Sequence, residues 1–153
     1  MESVTSLLGR ELGTCFQLMW RRIRQTLEPF GLTGPQFGIL KNLKHHGPLT
    51  PTELSTHLLV TPGNVTGLVR RLIKLKLIEQ RRLVKDRRCS RIALTALGEK
   101  KLQEIQPTIL AEFKEFFRDF PAVEKQTFLE LLKKLSRAVN PDGIAHPCSG
   151  GQE

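Results

Sequence analysis

The sequence predicts a mainly α-helical protein with one small β-hairpin, and three observations lead to this fold class. Apolar residues recur at three- and four-residue steps along most of the 153-residue chain, which is the period of an amphipathic helix. Two Thr-Pro pairs, at residues 50–51 and 61–62, mark helix starts, because Thr caps a helix and Pro is favoured in its first turn. Between residues 78 and 95 this period gives way to short apolar stretches around a charged segment, which is typical of a hairpin.

A long first helix is predicted over residues 4–28. Its apolar stripe consists of Leu7, Leu8, Leu12, Cys15, Phe16, Met19, Ile23 and Leu27. Pro29 and Gly31 end the helix. Apolar residues make up 39% of the chain, which is low for a freestanding globule. We therefore expect part of the core to be shared with a second copy of the chain.

Three shorter helices are predicted next, over about residues 34–44, 51–58 and 62–75. The first two begin with capping-box spacings, Thr33 with Gln36 and Thr50 with Glu53, and the third begins at a Thr-Pro pair. The side chains expected to be buried in the first of them are Phe37, Leu43 and either Ile39 or Leu40. The sequence His-His-Gly-Pro at residues 45–48 is expected to stop it.

The hairpin strands are predicted over residues 78–85 and 90–95, with Ile92 and Leu94 alternating against Arg91 and Ala93. Thr95 then caps a helix over about residues 96–117. Pro107 falls inside this pattern and should kink or divide the helix.

A last helix is predicted from near Pro121 to Val139. Its apolar stripe consists of Phe128, Leu131, Leu132 and Leu135. The final residues hold two Pro, three Gly and few apolar side chains, so a disordered tail is expected. The predicted organisation is an N-terminal dimerisation helix (1–30), a winged helix-turn-helix (31–95), C-terminal dimerisation helices (96–139) and the tail (140–153).

Positive charge is concentrated in one block of the chain. The formal net charge is +9, and residues 61–100 hold eleven Lys and Arg against three Asp and Glu, a net +8. Such a block attracts phosphate backbones through counterion release, and an anionic membrane surface is the other partner class that charge permits. Double-stranded DNA is the partner we expect.

The helix predicted over residues 62–75 has a bare, cationic face. On a helical wheel, Val65, Leu68, Val69, Leu72 and Ile73 fall in one arc and are expected to face the core. The opposite and flanking positions hold Gly63, Asn64, Thr66, Gly67, Arg70, Arg71 and Lys74. Each Gly costs about 1 kcal/mol of helix stability relative to Ala. The presence of two on this face is therefore better explained by close approach to another molecule than by chance.

This bare face has the character of a recognition helix in a major groove, about 12 Å wide. Asn64 and Thr66 are placed to reach base edges, and the three cations are candidates for phosphate or guanine contacts. Thr61 at the helix start and Thr52 in the preceding helix complete the candidates outside the hairpin.

The tip of the predicted hairpin supplies the remaining DNA-binding candidates, Lys85, Asp86, Arg87, Arg88 and Arg91. A basic hairpin tip can place an arginine in a neighbouring minor groove. Asp86 is expected to fix a neighbouring arginine or the turn backbone. The alternative is a solvated charged loop.

Three segments together resemble the MarR (multiple antibiotic resistance regulator) family of winged-helix regulators. They are GLTGPQF at residues 31–37, TPGNVTGLVRRLIKLKLI at 61–78 and DRRCSRIALTALG at 86–98, where Asp86, Arg88, Leu94, Thr95 and Gly98 fill the family's wing motif. The resemblance covers about residues 5–139. It implies an obligate homodimer on a palindromic operator and, usually, repression that a ligand or oxidation relieves.

The resemblance also implies a pocket for a small aromatic or anionic effector, with Phe16, Met19, Trp20 and Phe37 as candidates near it. These four are more often plain core residues. In one respect the chain departs from the family, which usually has acids at the positions of Arg70 and Lys74. We expect more phosphate contact from these cations, and the partner of Arg88 is left open.

A redox-switch regulator using Cys15 or Cys89 is one alternative. Cys15 lies on the apolar stripe of a chain that contains no Tyr, so a small buried hydrophobe is the simpler interpretation. Cys89 is surrounded by arginines that would lower the pKa of its thiol. A second alternative is a winged helix that binds another protein and no DNA.

Other chemistry has no support in the sequence. The four histidines show no metal-ligand spacing with the three cysteines, and no nucleophile-elbow, P-loop, dinucleotide or HExxH motif is present. We expect no cofactor, no metal and no enzyme activity. With no long apolar run and no signal-peptide pattern, a cytoplasmic protein without a membrane partner is expected.

Overall fold

The computed structural model of the protein describes residues 3–82 and 90–140. Within these ranges the chain forms six α-helices and a two-stranded antiparallel hairpin, which confirms the predicted fold class. The elements are α1 (Val4–Leu27), a 3-10 turn (Glu28–Phe30), α2 (Gly34–His46), α3 (Pro51–Leu58), α4 (Pro62–Lys74), β1 (Ile78–Arg82), β2 (Ser90–Leu94), α5 (Ala96–Phe116) and α6 (Ala122–Val139). The predicted helix bounds hold to within two residues.

Only the C-terminal part of α1 packs into the core. Ile23 and Leu27 are buried, whereas Leu8 and Phe16 are each 65% exposed. Arg22 pins this end of α1 to α5, because its guanidinium lies 2.8 Å from the Glu112 carboxylate. The expected apolar stripe is therefore present in α1, but the chain itself covers only its last two turns.

Helix α2 is the centre of the core, with Ile39 and Leu40 both fully buried. Its start is fixed by the Gln36 side-chain oxygen, which accepts hydrogen bonds from the amide (2.8 Å) and the hydroxyl (3.1 Å) of Thr33. The helix continues through the two histidines and ends only at Gly47, whose φ of 74° is the left-handed conformation that glycine adopts easily.

Helix α3 begins with a complete capping box. The Thr50 hydroxyl accepts from the amide of Glu53 at 3.2 Å, and the Glu53 carboxylate accepts from the amide of Thr50 at 2.7 Å. Leu59 ends the helix with a φ of 54°, which is costly for a residue with a side chain. The turn from Leu59 to Thr61 then sends the chain into α4.

The hairpin has a third paired segment. The β1–β2 register sets Ile78 opposite Leu94, and on the other edge of β2 the amide and carbonyl of Ile92 bond those of Leu49. Helices α2 and α5 both lie against β2. Ile92 and Ala93 are both buried in this strand, which α2 and α5 contact, so the predicted alternation of buried and exposed residues was wrong.

Thr95 and Gly98 join the hairpin to α5. The Thr95 hydroxyl accepts from the Gly98 amide at 3.0 Å and donates to the carbonyl of Lys76 at 2.7 Å. A Cβ added to Gly98 would lie 2.0 Å from the carbonyl oxygen of Leu77, so no other residue fits there without a backbone shift. The close approach of α5 to the end of α4 thus depends on these two residues.

Helix α5 runs through Pro107 as one element, so the expected division of the helix is not found. The segment after α5 meets α6 through aromatic rings, with Phe117 and Phe120 both near Phe128. No residue of α6 is buried. Phe128 and Leu132 of its predicted stripe line a groove with Leu110 and Phe113 of α5, whereas Leu131 of the same stripe is 58% exposed. No helix in the described ranges is long and apolar enough to cross a membrane.

Candidate DNA-binding surface

Helix α4 presents two chemically different faces. Val65 and Leu72 are fully buried, and Leu68 and Val69 are half-buried against the core, as predicted. Ile73 is 37% exposed, which corrects its assignment to the core face. Ile73 lies at the edge of the apolar arc, one residue before the helix ends, where no neighbouring element covers it.

The outward face of α4 carries the predicted DNA-binding residues. Gly63, Asn64, Thr66, Arg70, Arg71 and Lys74 are exposed, and Gly67 is half-buried. Within residues 3–82 and 90–140, none of the three cations forms an ion pair. Their charge is therefore directed to solvent and available to an anionic partner.

The two glycines of this face are not required by packing against any part of the chain that the structure describes. A Cβ added at Gly63 or Gly67 would meet no atom within 4 Å. The contrast is Gly34, where an added Cβ would lie 2.5 Å from the ring of Trp20. A helix that gives up stability for two glycines without an internal reason is suited to close contact with an external surface.

The first turn of α4 offers hydrogen-bonding groups to solvent. Thr61 occupies the N-cap position with extended backbone (φ −70°, ψ 148°), but its hydroxyl makes no capping bond. The amides that begin the helix are therefore open to an anion such as a phosphate. Thr66 donates its hydroxyl proton to the carbonyl of Pro62 at 3.1 Å, which fixes its rotamer and leaves its oxygen as an acceptor.

Thr52 lies on the exposed side of α3, in the first turn. Its carbonyl accepts from the hydroxyls of Ser55 (2.8 Å) and Thr56 (3.2 Å), so the turn is rigidly held. Its own side chain points to solvent, as a DNA-binding role requires.

Arg91 does not extend freely from the hairpin. It is half-buried, and its guanidinium donates to the carbonyl of Pro48 at 2.8 Å. Two further exposed cations, Lys76 just before β1 and Arg81 within β1, were missed by sequence reasoning. Their signal was membership of the same basic block. The other wing candidates, Lys85, Asp86, Arg87 and Arg88, and the redox candidate Cys89 fall in the gap between residues 82 and 90 that the structure does not describe.

A cleft of about 420 Å³ lies between α2 and α5. Its lining is Phe37, Lys41, Lys44, His45, Glu99, Leu102, Gln103, Gln106, Ile109, Leu110 and Phe113. Of the four effector candidates, only Phe37 lines this cleft. Phe16 and Trp20 lie on α1, where both are exposed and their rings stack on each other. Sequence reasoning missed the α5 residues, because their spacing is that of any amphipathic helix.

The positive side chains of this cleft lie on α2. The ammonium of Lys44 bonds the Glu99 carboxylate at 3.0 Å and links α2 to α5, whereas Lys41 lies 5.9 Å from the ring centre of Phe37. The cleft therefore combines aromatic walls with cations.

Cysteine and histidine placements differ from the simplest expectations. Cys15 is exposed on the single chain, which corrects its interpretation as a buried residue.

His46 lies edge-on to His45 and stacks on His57 at 4.3 Å between ring centres. Burial, then His57 and His45, lower the pKa of His46 below 6.5. No group in the described ranges is arranged to hold a metal.

The MarR-family sequence model matches residues 30–88, which span α2 to the hairpin. An HTH-type transcriptional regulator of Bacillus subtilis, YwoH, is 32% identical over 133 residues, covering 87% of this chain and 96% of its own length. The chain belongs to the MarR family. A second relative of this MarR-family chain is the transcriptional repressor MdtR of B. subtilis, 28% identical over 92% of this chain and 91% of its own.

Solved MarR-family structures share the architecture. A MarR variant from E. coli, crystallised with operator DNA, is 27% identical with a TM-score of 0.77, and the match covers 84% of this chain and 92% of that one. BpsR of Bordetella bronchiseptica, whose DNA binding 6-hydroxynicotinic acid regulates, is 25% identical with the same TM-score, covering 85% and 98%. This MarR-family chain is accordingly a DNA-binding transcription regulator.

Proposed function

We propose that this MarR-family regulator is a sequence-specific repressor, that it binds a palindromic operator as a homodimer and that a small aromatic or anionic ligand releases it. The observation that carries the DNA-binding part is the outward face of α4. There, two glycines without an internal packing role lie among three solvent-directed cations. Asn64 and Thr66 then read bases, and Arg70, Arg71 and Lys74 contact phosphate or guanine.

The hairpin adds a second point of contact. Along the sequence, Lys85, Arg87 and Arg88 follow β1, in which Arg81 is exposed. A recognition helix in the major groove and a basic ribbon in the adjacent minor groove together fix the orientation on the duplex. The non-DNA alternative is less well supported, since it gives the basic face no partner.

The test of DNA binding is selection of bound duplexes from a random pool, followed by affinity measurement over a range of salt concentrations. We expect a palindrome whose half-site centres lie about one helical turn, roughly 34 Å, apart, because two-fold symmetry repeats α4 at that spacing. Recovery of no common sequence would contradict sequence-specific binding.

Homodimerisation is supported by apolar surface that a single chain leaves uncovered. Leu8 and Phe16 on α1 and Leu131 on α6 are all more than half exposed, and α6 has no buried residue. An 18-residue helix in water is marginal without tertiary packing, and exposed apolar surface of this extent is typical of an interface. The occupant we propose is the same pair of regions from a second copy.

A matched pair of variants tests the dimer by light scattering. Leu131→Gln places an amide in the proposed interface, whereas Lys133→Gln places the same residue on the other side of α6, where Lys133 pairs with Glu130. We expect the first variant to shift the mass towards a monomer and the second to remain dimeric. A wild-type protein that is monomeric at micromolar concentration would contradict the proposal.

The α2–α5 cleft is the proposed effector site. An aromatic carboxylate suits it, because Phe37 and Phe113 offer ring contacts while Lys41 and Lys44 offer positive charge. Such a ligand would compete with the Glu99 carboxylate for the ammonium of Lys44. It would thereby weaken the ion pair that links α2 of the winged helix-turn-helix to α5. A weaker link between α2 and α5 would let the DNA-binding part of each protomer shift, and the distance between the two α4 helices of the proposed dimer would change.

Titration with 6-hydroxynicotinic acid and with benzoate tests the cleft. We expect at least one of them to weaken operator binding by the wild type and to act less on Lys44→Gln. The control is Lys100→Gln, which removes an exposed lysine of α5 outside the cleft. An equal response of the two variants would place the ligand elsewhere.

The repressor assignment rests on kinship with MdtR, whose name describes it as a repressor. A reporter fused to the selected operator tests it, since deletion of the regulator should raise transcription. A fall in transcription would make the protein an activator.

A further inference from the structure

Arg91 and Arg81 stand opposite each other on the hairpin but have different surroundings. The β1–β2 register pairs the two residues directly. Arg81 is exposed, and its guanidinium bonds the Glu79 carboxylate on its own strand at 2.7 Å. Arg91 is half-buried and turns away from β1, towards the segment that precedes α3. Two arginines on one rung therefore offer a matched comparison.

The segment before α3 meets β2 through three consecutive hydrogen bonds. The amides and carbonyls of Leu49 and Ile92 exchange two bonds, of 3.0 and 2.7 Å. The Arg91 guanidinium adds a third, of 2.8 Å, to the carbonyl of Pro48. Thr50, the cap of α3, follows immediately along the chain. The base of the hairpin is thus attached to the start of the helix-turn-helix.

This attachment matters because a two-stranded hairpin is marginally stable by itself, and like charges opposite each other on a ladder weaken it further. Because the Arg91 side chain turns towards Pro48, its charge lies away from that of Arg81. The same guanidinium holds the segment before α3. The Glu53 carboxylate, which lies within the field of Arg91, complements the charge on the same side.

We propose that Arg91 is a positioning residue, whose guanidinium fixes the base of the wing on the turn before α3 so that the wing and α4 meet the DNA as one body. This inference rests on the proposed wing contact with DNA. It replaces the direct DNA contact that the sequence suggested for Arg91. If the wing pivoted freely, only the fraction of molecules with the correct wing orientation would bind, and the apparent affinity would fall by that fraction.

The experiment compares Arg91→Ala, Arg91→Lys and Arg81→Ala with the wild type, at a temperature where unfolding curves show all four proteins to be folded. The first measurement is hydrogen exchange at the amides of Leu49 and Ile92 in the free protein. We expect exchange there to accelerate roughly three- to tenfold in Arg91→Ala, the size of one lost hydrogen bond, and to stay at the wild-type rate in Arg81→Ala. Because this measurement uses the free protein, it tests whether Arg91 holds the hairpin on the segment before α3 even if the protein binds no DNA.

The second measurement is operator affinity as a function of salt. A lost anchor should weaken binding by a salt-independent factor, so Arg91→Ala should keep the slope of log K against log salt. Arg91→Lys should restore little affinity, because its ammonium keeps the charge but ends one bond short of the Nη1 that reaches the Pro48 carbonyl. A slope reduced by about 0.9, together with full rescue by Lys, would identify a phosphate contact and overturn the proposal. Unchanged amide exchange, or faster exchange without loss of affinity, would overturn it as well.

Discussion

The hydroxyl of Thr95 donates a 2.7 Å hydrogen bond to the main-chain carbonyl of Lys76, nineteen residues earlier in the chain. The same oxygen accepts from the amide of Gly98, so one hydroxyl both caps α5 and holds the turn after α4. Lys76 has a φ of 59°, a left-handed conformation that the surrounding bonds must maintain. The orientation of the proposed recognition helix relative to α5 therefore depends on a side chain outside the predicted DNA-binding face.

Replacement of Thr95 tests this role. Thr95→Ala removes the cap and the bond to Lys76 together, and we expect the free energy of unfolding to fall by about 1–2 kcal/mol. Thr95→Ser keeps the hydroxyl and should retain most of the stability. Thr127→Ala is the control, since the Thr127 hydroxyl bonds only the preceding turn of exposed α6. Chemical denaturation measures all three, and equal losses for Ala and Ser would contradict the interpretation.

Gly67→Ala should separate stability from function. The added methyl group meets nothing in the chain, so the unfolding free energy should rise by up to about 1 kcal/mol. On DNA the same methyl group would hold α4 away from the groove and lower operator affinity by about tenfold or more, the scale of one lost base contact.

Gly13→Ala in α1 is the matched control, because its added methyl group also meets no atom of the chain. It should gain stability without losing affinity, provided that light scattering shows the same oligomeric state as the wild type. If Gly67→Ala bound the operator as tightly as the wild type, close approach of this face to DNA would be refuted.

Arg70→Ala tests the cations that replace the family's usual acids. If Arg70 contacts a phosphate, the slope of log K against log salt should become shallower by about 0.9, and affinity should fall on operator and random duplex alike. A guanine contact would instead reduce discrimination at one base pair. Arg118→Ala, two residues past the C-terminal end of α5, should leave both quantities unchanged. A loss of affinity equal to that of Arg70→Ala would indicate a general charge effect.

The capping carboxylate of Glu53 predicts a dependence of stability on pH. The Thr50 amide, followed by the Thr50 hydroxyl and the charges of Arg91 and His57, holds the pKa of Glu53 below its ordinary 4.5, against the opposing effect of burial. The ionised form is thus favoured by folding. Its contribution is complete above pH 4.5 and is lost as the pH falls through the lowered pKa.

Two substitutions isolate this contribution. Glu53→Gln keeps the acceptor of the capping box but cannot ionise, so the stability curve between pH 6 and 3 should become shallower than that of the wild type. Glu53→Ala loses the acceptor too and should be less stable than Glu53→Gln throughout. Identical pH slopes for wild type and Glu53→Gln would assign the acid sensitivity to other groups.

Much of the fold was predictable because the decisive signals are local. A capping box such as Thr50 with Glu53 is satisfied within one helical turn, and a left-handed glycine such as Gly31 ends a segment by its own backbone preference. The bare face of α4 could be predicted for the same reason, since a helical wheel needs only the order of residues. These local signals placed the helix bounds and gathered Asn64, Thr66 and Arg70 on one surface.

What the sequence could not determine are the contacts that depend on which segments meet. Arg91 lies in a basic part of the sequence, which predicted a DNA contact. The pairing of Leu49 with Ile92 instead brings the Pro48 carbonyl within reach of its guanidinium. The same pairing gives β2 a neighbour on both edges. Residues forty or more positions apart meet here, and no periodicity records such a meeting.

By itself, then, the order of residues determined the helices, the hairpin and the cationic face, because helix caps, turns and amphipathic periods are set by neighbours within a few positions. The tertiary structure alone decided that Phe37 lines the α2–α5 cleft while Trp20 packs on Gly34, and that Thr95 holds Lys76. The physical reason is that burial and long-range hydrogen bonds depend on the packing of whole elements, and side chains of identical pattern differ only in what lies opposite them.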